Sequence, residues 1–202
     1  MNINSIIFDL GAVLIDWNQR HLYRKIFKTE EEMEWFLANV CTSEWNEEQD
    51  AGRSFAEAVK IQSQLFPKYT QEIEAYWARW PEMMKGQIQG TVEIFAEMKE
   101  LNRYKFYALT NWSAETFPFA LQKFEFFKWF DGIVVSGHEK TRKPFPEFYQ
   151  RLLDRYSVNP SETFFIDDSL RNVEAAGKLG INAFQFISSE GLREELGRSG
   201  VL

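Results

Sequence analysis

Ile6-Ile7-Phe8-Asp9, running on into Leu10-Gly11-Ala12-Val13-Leu14, decides how the rest of the chain is read. The run is apolar without alternation and ends in an acid. A strand with no polar face suits a sheet covered on both sides. From Gly90 onward, helices alternate with further strands. A helix over Thr91 to Leu101 leads to a strand over Lys105 to Thr110, and a helix over Ala114 to Phe124 leads to Ile133-Val134-Val135-Ser136. A helix after Pro144 leads to Thr163-Phe164-Phe165-Ile166-Asp167, and one over Val173 to Leu179 leads to Asn182-Ala183-Phe184-Gln185-Phe186. This alternation predicts an α/β fold, a Rossmann-like, doubly wound parallel sheet.

Between the first strand and Gly90 the rhythm differs. Leu22 to Phe27, Glu30 to Val40, Phe55 to Phe66 and Tyr69 to Trp80 carry leucine and aromatic residues at helical spacing, with no strand pattern among them. The expected organisation is a core of residues 1–16 and 85–202 with an all-helical cap, residues 17–84, inserted after the first strand. Trp35, Trp77 and Trp80 are expected to build the interior of that cap. Asn46, Gln49 and Arg53 flank Gly52 in a predicted cap loop, and Asn46 and Arg53 are candidates for substrate contact.

The 202 residues suffice for one domain plus a modest insertion, and 19 Phe and 7 Trp supply a large apolar core. A net charge of -7 without any basic run disfavours nucleic acid as a partner, because backbone affinity comes from clustered Lys and Arg. Cys41 is the only cysteine, which excludes an intrachain disulfide and predicts a buried apolar thiol. Met1-Asn2-Ile3-Asn4 lacks the basic start of a signal peptide. No apolar stretch reaches the roughly 20 residues of a membrane span, so a cytoplasmic protein without a membrane partner is expected.

In a doubly wound sheet, ligands bind beyond the carboxyl ends of the strands. Four of the predicted strands end at Asp9, Thr110-Asn111, Ser136-Gly137 and Asp167-Asp168, so polar and acidic groups gather at one rim. Four segments resemble, in order, the motifs of the haloacid dehalogenase-like superfamily. They are Phe8-Asp9-Leu10-Gly11-Ala12-Val13-Leu14, Leu109-Thr110-Asn111, Lys143-Pro144, and Phe165-Ile166-Asp167-Asp168-Ser169 with Asn172. The helical insertion directly after the first motif resembles the C1 type of cap in that superfamily.

The resemblance implies a hydrolase of small molecules with Asp9 as nucleophile. A covalent aspartyl intermediate would split one difficult step into two. On phosphorus, the charge of the equatorial oxygens must be neutralised. Lys143 supplies a cation, Thr110 a hydroxyl donor, and backbone N–H groups around Asn111 further donors. Asp9, Asp167 and Asp168 would meet an anionic substrate with Lys143 as the one counter-charge of these motifs. Each like-charged pair at about 4 Å costs roughly 4 kcal/mol at an effective dielectric of about 20. A hard divalent cation removes the conflict, and Mg²⁺ suits carboxylate, water and phosphate. The resemblance makes Asp9 and Asp168 direct Mg²⁺ ligands, the Gly11 carbonyl a backbone ligand, and Asp167 a ligand through water.

Gly11 departs from the pattern. Superfamily phosphatases usually carry an aspartate there that protonates the leaving group and then activates water, help commonly worth about 10² to 10⁴ in rate. Glycine at this point predicts slower turnover, and its permissive backbone predicts unusual angles where the chain leaves for the cap. Asp16 is a candidate replacement, with a helix cap as the alternative role. His21 reads as a structural residue of an amphipathic helix and His138 as a loop residue. Trp112, next to the second motif, is a candidate for substrate contact or for packing beneath the cap. Three functions fit: a Mg²⁺-dependent phosphatase of a small phosphorylated metabolite, a 2-haloacid dehalogenase in which Asp9 attacks carbon, and a weakly catalytic binding or regulatory protein. The Asp167-Asp168 pair favours the first, because dehalogenases of this superfamily need no metal and usually carry an aromatic residue where Gly11 stands. Gly11 itself favours the third.

Overall fold

Ser5, Ile6, Ile7 and Phe8 are all buried, as the unbroken apolar run requires. They form the middle strand of a five-stranded sheet in the computed structural model, which describes residues 2–202. In chain order the strands are β1 (Ser5–Phe8), β2 (Ile15–Trp17), β3 (Met84–Gln87), β4 (Lys105–Thr110), β5 (Gly132–Val135), β6 (Thr163–Asp167) and β7 (Asn182–Gln185). The sheet order is β5-β4-β1-β6-β7, and every pairing is parallel. Ile7 stands abreast of Tyr107 on one side and Phe165 on the other. The order therefore reverses at β1, and such a switch point opens a crevice at the strand ends. Asp9, Thr110 and Asp167 end three adjacent strands there.

Eleven α-helices are found among the described residues: α1 (Arg20–Tyr23), α2 (Glu30–Asn39), α3 (Ser43–Asp50), α4 (Phe55–Leu65), α5 (Thr70–Ala78), α6 (Gln89–Glu100), α7 (Phe117–Lys123), α8 (Ser136–Glu139), α9 (Pro146–Tyr156), α10 (Leu170–Lys178) and α11 (Ser189–Arg198). α6 and α11 cover one sheet face, and α9 and α10 the other. Ile6, Phe8, Phe106 and Ile166 share one core with Phe95 of α6 and Leu192 of α11. Ile7, Leu109, Val134 and Phe165 share another with Phe148 and Leu152 of α9 and Ala176 of α10. Alternate residues of one strand thus enter opposite cores, which is why no polar face appears in the sequence. Each large side chain so buried contributes about 1.5–3 kcal/mol.

Among the described residues, the segment between β2 and β3 holds helical elements and no strand. Thr29, Thr42 and Ser54 each accept a hydrogen bond from a first-turn backbone N–H, starting α2, α3 and α4. Caps of this kind are worth about 1 kcal/mol each. Tyr23 against Phe36 and Trp45 against Tyr76, both with centroids 4.9 Å apart, knit these helices into the same core as β1.

Several expectations are corrected. Ile15–Trp17 and Met84–Gln87 pair as an antiparallel ribbon, so the chain enters and leaves the helical segment on two hydrogen-bonded strands. Both are too short for periodicity to register. The segment around Asn46 and Gln49 is helix α3, not loop; only the turn after Asp50 is irregular. Trp35 is 47% exposed and lies against Tyr69 on the surface rather than in the interior. Trp77 is partly buried against Phe55, and Trp80 is buried facing Trp112. The helix expected from Ala114 begins at Phe117. Cys41 is fully buried, and burial pushes its thiol pKa up. No helix among the described residues is long and apolar enough to cross a membrane.

Candidate active site

Beyond β1 the chain reverses at once: the Ala12 N–H donates to Ile15 O at 2.8 Å and the Leu14 N–H to Leu10 O at 2.9 Å. The left-handed residue of this turn is Ala12, at φ 58. Gly11 is not among the positive-φ glycines, and a Cβ added there would meet nothing within 4 Å. Glycine therefore relieves no strain at this point, contrary to expectation. It leaves open space beside Asp9.

Asp9 is 8% exposed, and its Oδ1 accepts from the Leu10 N–H at 2.7 Å and from Lys143 Nζ at 2.9 Å. Lys143 is fully buried, and its Nζ also donates to Asp167 Oδ2 at 2.6 Å. Asn111 holds the backbone of this lysine. Its Oδ1 accepts from the Lys143 N–H at 2.8 Å, and its Nδ2 donates to Lys143 O at 3.0 Å. Asp167 further accepts from the Ser169 N–H and from Asn172 Nδ2. Oxygens of Asp9, Asp167 and Asp168 all lie within 4.8 Å of one another.

Charge in this cluster is finely opposed. Burial foremost, with Asp167 and Asp168, raises the Asp9 carboxyl to about 7, although Lys143 pulls the other way. Burial disfavours charge on Lys143 too, but Asp167 and Asp9 hold it protonated, above its ordinary value. Desolvation and Asp167 raise Asp168 as well. Three converging hard oxygen donors, two of them with raised carboxyls, and one buried cation make a fitting set for a divalent ion such as Mg²⁺. Asp168 is exposed at the mouth, whereas the Asp167 carboxylate is already engaged by Lys143, Ser169 and Asn172. Thr110 is fully buried, and its Oγ1 has no partner among the described residues. A buried hydroxyl left unpaired is costly and is the kind of group a bound anion satisfies.

The other expected residues divide. Asn46 and Asp50 of α3 line, with Gly11, Trp17, Trp80 and Trp112, a recess of about 50 Å³. It shares Gly11, Trp17, Asn46, Asp50 and Asn111 with a cleft of about 460 Å³ that reaches Asp9 and Asp168. Trp112 packs on Trp80 with centroids 5.5 Å apart, and its indole N–H donates to Thr116, so it serves the recess wall and the packing beneath the helices together. Arg53 lines neither space. Its guanidinium is bound to Gln49 Oε1 and Trp45 O. The guanidinium groups on the cleft belong instead to Arg20, paired with Glu34, and Arg171, paired with Glu47. Asp16 lies outside both spaces, its Oδ1 2.8 Å from His21 Nε2. Asp50, Trp17, Arg20 and Arg171 carry no motif. For Asp50 a signal did exist: Thr42 as a helix cap puts Asn46, Gln49 and Asp50 at i, i+3 and i+4 of one helix.

The family model described as haloacid dehalogenase-like hydrolase matches residues 6–186. The chain is 30% identical to the sesquiterpene phosphatase astK of Aspergillus oryzae over 88% of its own length and 86% of that protein's. It superposes with a TM-score of 0.67 and 24% identity on a family enzyme of Bacteroides thetaiotaomicron solved with magnesium and inorganic phosphate, covering 92% of this chain and 95% of that one. An L-2-haloacid dehalogenase from Xanthobacter autotrophicus, with chloropropionic acid covalently bound, aligns at a TM-score of 0.57 and 14% identity over 99% of this chain and 84% of that one.

Proposed function

The chain belongs to the haloacid dehalogenase-like hydrolases, and from that membership we propose that it is a Mg²⁺-dependent phosphatase of a small phosphate ester. The observation that carries the reading is the trio Asp9, Asp167 and Asp168 gathered within 4.8 Å around a buried lysine. An attack by Asp9 on carbon, as in dehalogenation, has no use for three converging carboxylates. The phosphatase relative, and the related enzyme solved with magnesium and phosphate, support the same reading.

In this reading Asp9 and Asp168 hold Mg²⁺ together with the Gly11 carbonyl, Asp167 acts through water, and the ion supplies neutralisation of phosphate charge. Asp9 attacks phosphorus and forms an aspartyl-phosphate. Lys143 meets the phosphoryl oxygens as a cation, and the free Thr110 hydroxyl donates to one of them. Asn111 keeps Lys143 in place through its backbone. The helices α1 to α5 act as a cap of the C1 type on the β2–β3 ribbon. The recess between Trp17, Trp80 and Trp112 takes a small apolar part of the leaving group. Its volume, about 50 Å³, admits only a few carbon atoms in this arrangement.

That aromatic recess is also the feature that favours a haloacid substrate. Turnover of p-nitrophenyl phosphate, of a panel of phosphorylated metabolites and of 2-chloropropionate, each with Mg²⁺ and with EDTA, separates the readings. Phosphate release that EDTA abolishes is the expected outcome. Halide release indifferent to EDTA would establish the second reading, and silence across the panel would leave a binding or regulatory protein.

A further inference from the structure

With glycine at position 11, the carboxyl that should serve the leaving group is missing, and the helical layer offers another. We propose that Asp50 is the catalytic acid and base of this site, acting from α3 over the open space that Gly11 leaves. The proposal rests on the phosphatase reading and deepens it.

Asp50 ends α3 and lines both the recess and the cleft, each of which also contains Gly11. Its carboxylate is fixed from two sides. Asn46 Nδ2 donates to Oδ2 at 3.0 Å from within α3, and the backbone of Ser113, in the loop after β4, favours its ionised form from the other side. Asn46 is itself held by the Tyr76 hydroxyl at 2.7 Å. The end of α3 is pinned to the sheet domain. Gly52, at φ +102, lies so close to α8 that an added Cβ would be 3.2 Å from Gly137 O. Glu47 pairs with Arg142 at 2.7 Å and with Arg171 at 2.5 Å. A carboxyl held this way, lining the same cleft as Asp9 and Gly11, is placed in advance for a leaving group bound there.

The charged and titratable groups facing Asp50 are Glu47 on its own helix, Arg142 and Asp9 from the sheet domain, and Tyr76 from α5. Burial first, then Glu47 and Asp9, raise its carboxyl to about 7, with Arg142 and the Ser113 backbone opposing. Near neutrality it therefore has a proton to give and, once ionised, the basicity to take one back.

The step balances without a co-reactant. An Asp9 oxygen bonds to phosphorus as the ester P–O bond breaks, and the departing oxygen takes the Asp50 proton, releasing an alcohol. Water then attacks the phosphorus of the aspartyl-phosphate and gives a proton to the Asp50 carboxylate as the Asp9–phosphorus bond breaks. Phosphate leaves, and Asp9 and Asp50 return to their starting forms.

The test compares wild type, Asp50→Asn and Asp50→Asn with Gly11→Asp on two probes, butyl phosphate and p-nitrophenyl phosphate, in saturating Mg²⁺. Butanol must be protonated as it leaves, whereas p-nitrophenolate departs as a stable anion. An acid at Asp50 predicts a fall in kcat/KM of about 10²-fold or more for butyl phosphate and below tenfold for p-nitrophenyl phosphate. It also predicts that wild-type butyl phosphate turnover declines above pH 7 and that Asp50→Asn loses this decline. The added carboxyl of Gly11→Asp, whose Cβ would meet nothing within 4 Å, should restore butyl phosphate turnover, and that recovery distinguishes missing chemistry from misfolding. Equal losses on both probes, an unchanged pH profile or no rescue would overturn the assignment while the phosphatase reading stood. Inactivity of the wild type on every phosphate ester would overturn both.

Discussion

Asp9→Asn should cost the protein its turnover and stabilise its metal-free fold. The structure gives the size of the second effect. Folding raises the Asp9 carboxyl from 3.8 to about 7, chiefly by burial. At pH 8, above both values, ionised Asp9 then costs up to about 4 kcal/mol, at 1.36 kcal/mol for each pKa unit. The sign follows from the direction: a carboxyl raised on folding favours the fold below its unfolded value, and that contribution is lost as pH rises from about 4 through 7. Asparagine mimics the protonated acid and leaves Lys143 its pairing with Asp167 at 2.6 Å. In EDTA, thermal melts of Asp9→Asn should therefore exceed wild type by several degrees at pH 8, at roughly 2–4 °C per kcal/mol for a chain of this size, with a smaller gap at pH 5. Mg²⁺ should stabilise wild type far more than the variant and close the gap. An Asp9→Asn variant no more stable than wild type at pH 8 in EDTA would refute the burial argument. Retention of more than about a tenth of wild-type turnover, some 1.4 kcal/mol in barrier, would remove Asp9 as nucleophile.

Asp168→Asn should weaken Mg²⁺ binding far more than Asp167→Asn in a calorimetric titration, because Asp168 is free at the mouth whereas Asp167 is occupied by Lys143, Ser169 and Asn172; equal losses would contradict this. Gly11→Asp alone should fold with an unchanged melting temperature in Mg²⁺ and raise kcat, since its Cβ would meet nothing within 4 Å; a clear fall in kcat would show that the space serves substrate instead. Glu47→Ala removes both arginine pairings that tie α3 to the sheet domain and should raise KM several-fold, whereas Arg53→Ala, which touches only its own segment, should leave KM within twofold. Comparable KM values for the two variants would count against a role of the Glu47 pairings in holding α3 over the cleft.

The sheet was legible because its cause is local. An apolar run with no polar face, punctuated by helices, already states that a strand is covered twice, and Ile6, Ile7 and Phe8 meet that condition on two separate cores. Asp9, Thr110, Asp167 and Asp168 were legible too, since strand ends in a parallel sheet converge on one rim, whereas Lys143, which follows α8, was legible only through its resemblance to a family motif. What escaped has a different origin. The β2–β3 ribbon joins residues 67 to 72 apart in strands of 3 and 4 residues, too short to carry a period. Helix α3 is nearly all polar, so its amphipathic signal is weak, and Asp50 carries no motif. Trp35 and Trp80 read alike in the sequence, yet one is exposed and the other closes the recess. By itself, then, the order of residues determined the sheet and the identity of the groups at its rim, because backbone pairing and burial follow local pattern. Only the tertiary structure decided which side chains of the helical layer face that rim, because the rotation and docking of a helix depend on packing against distant elements.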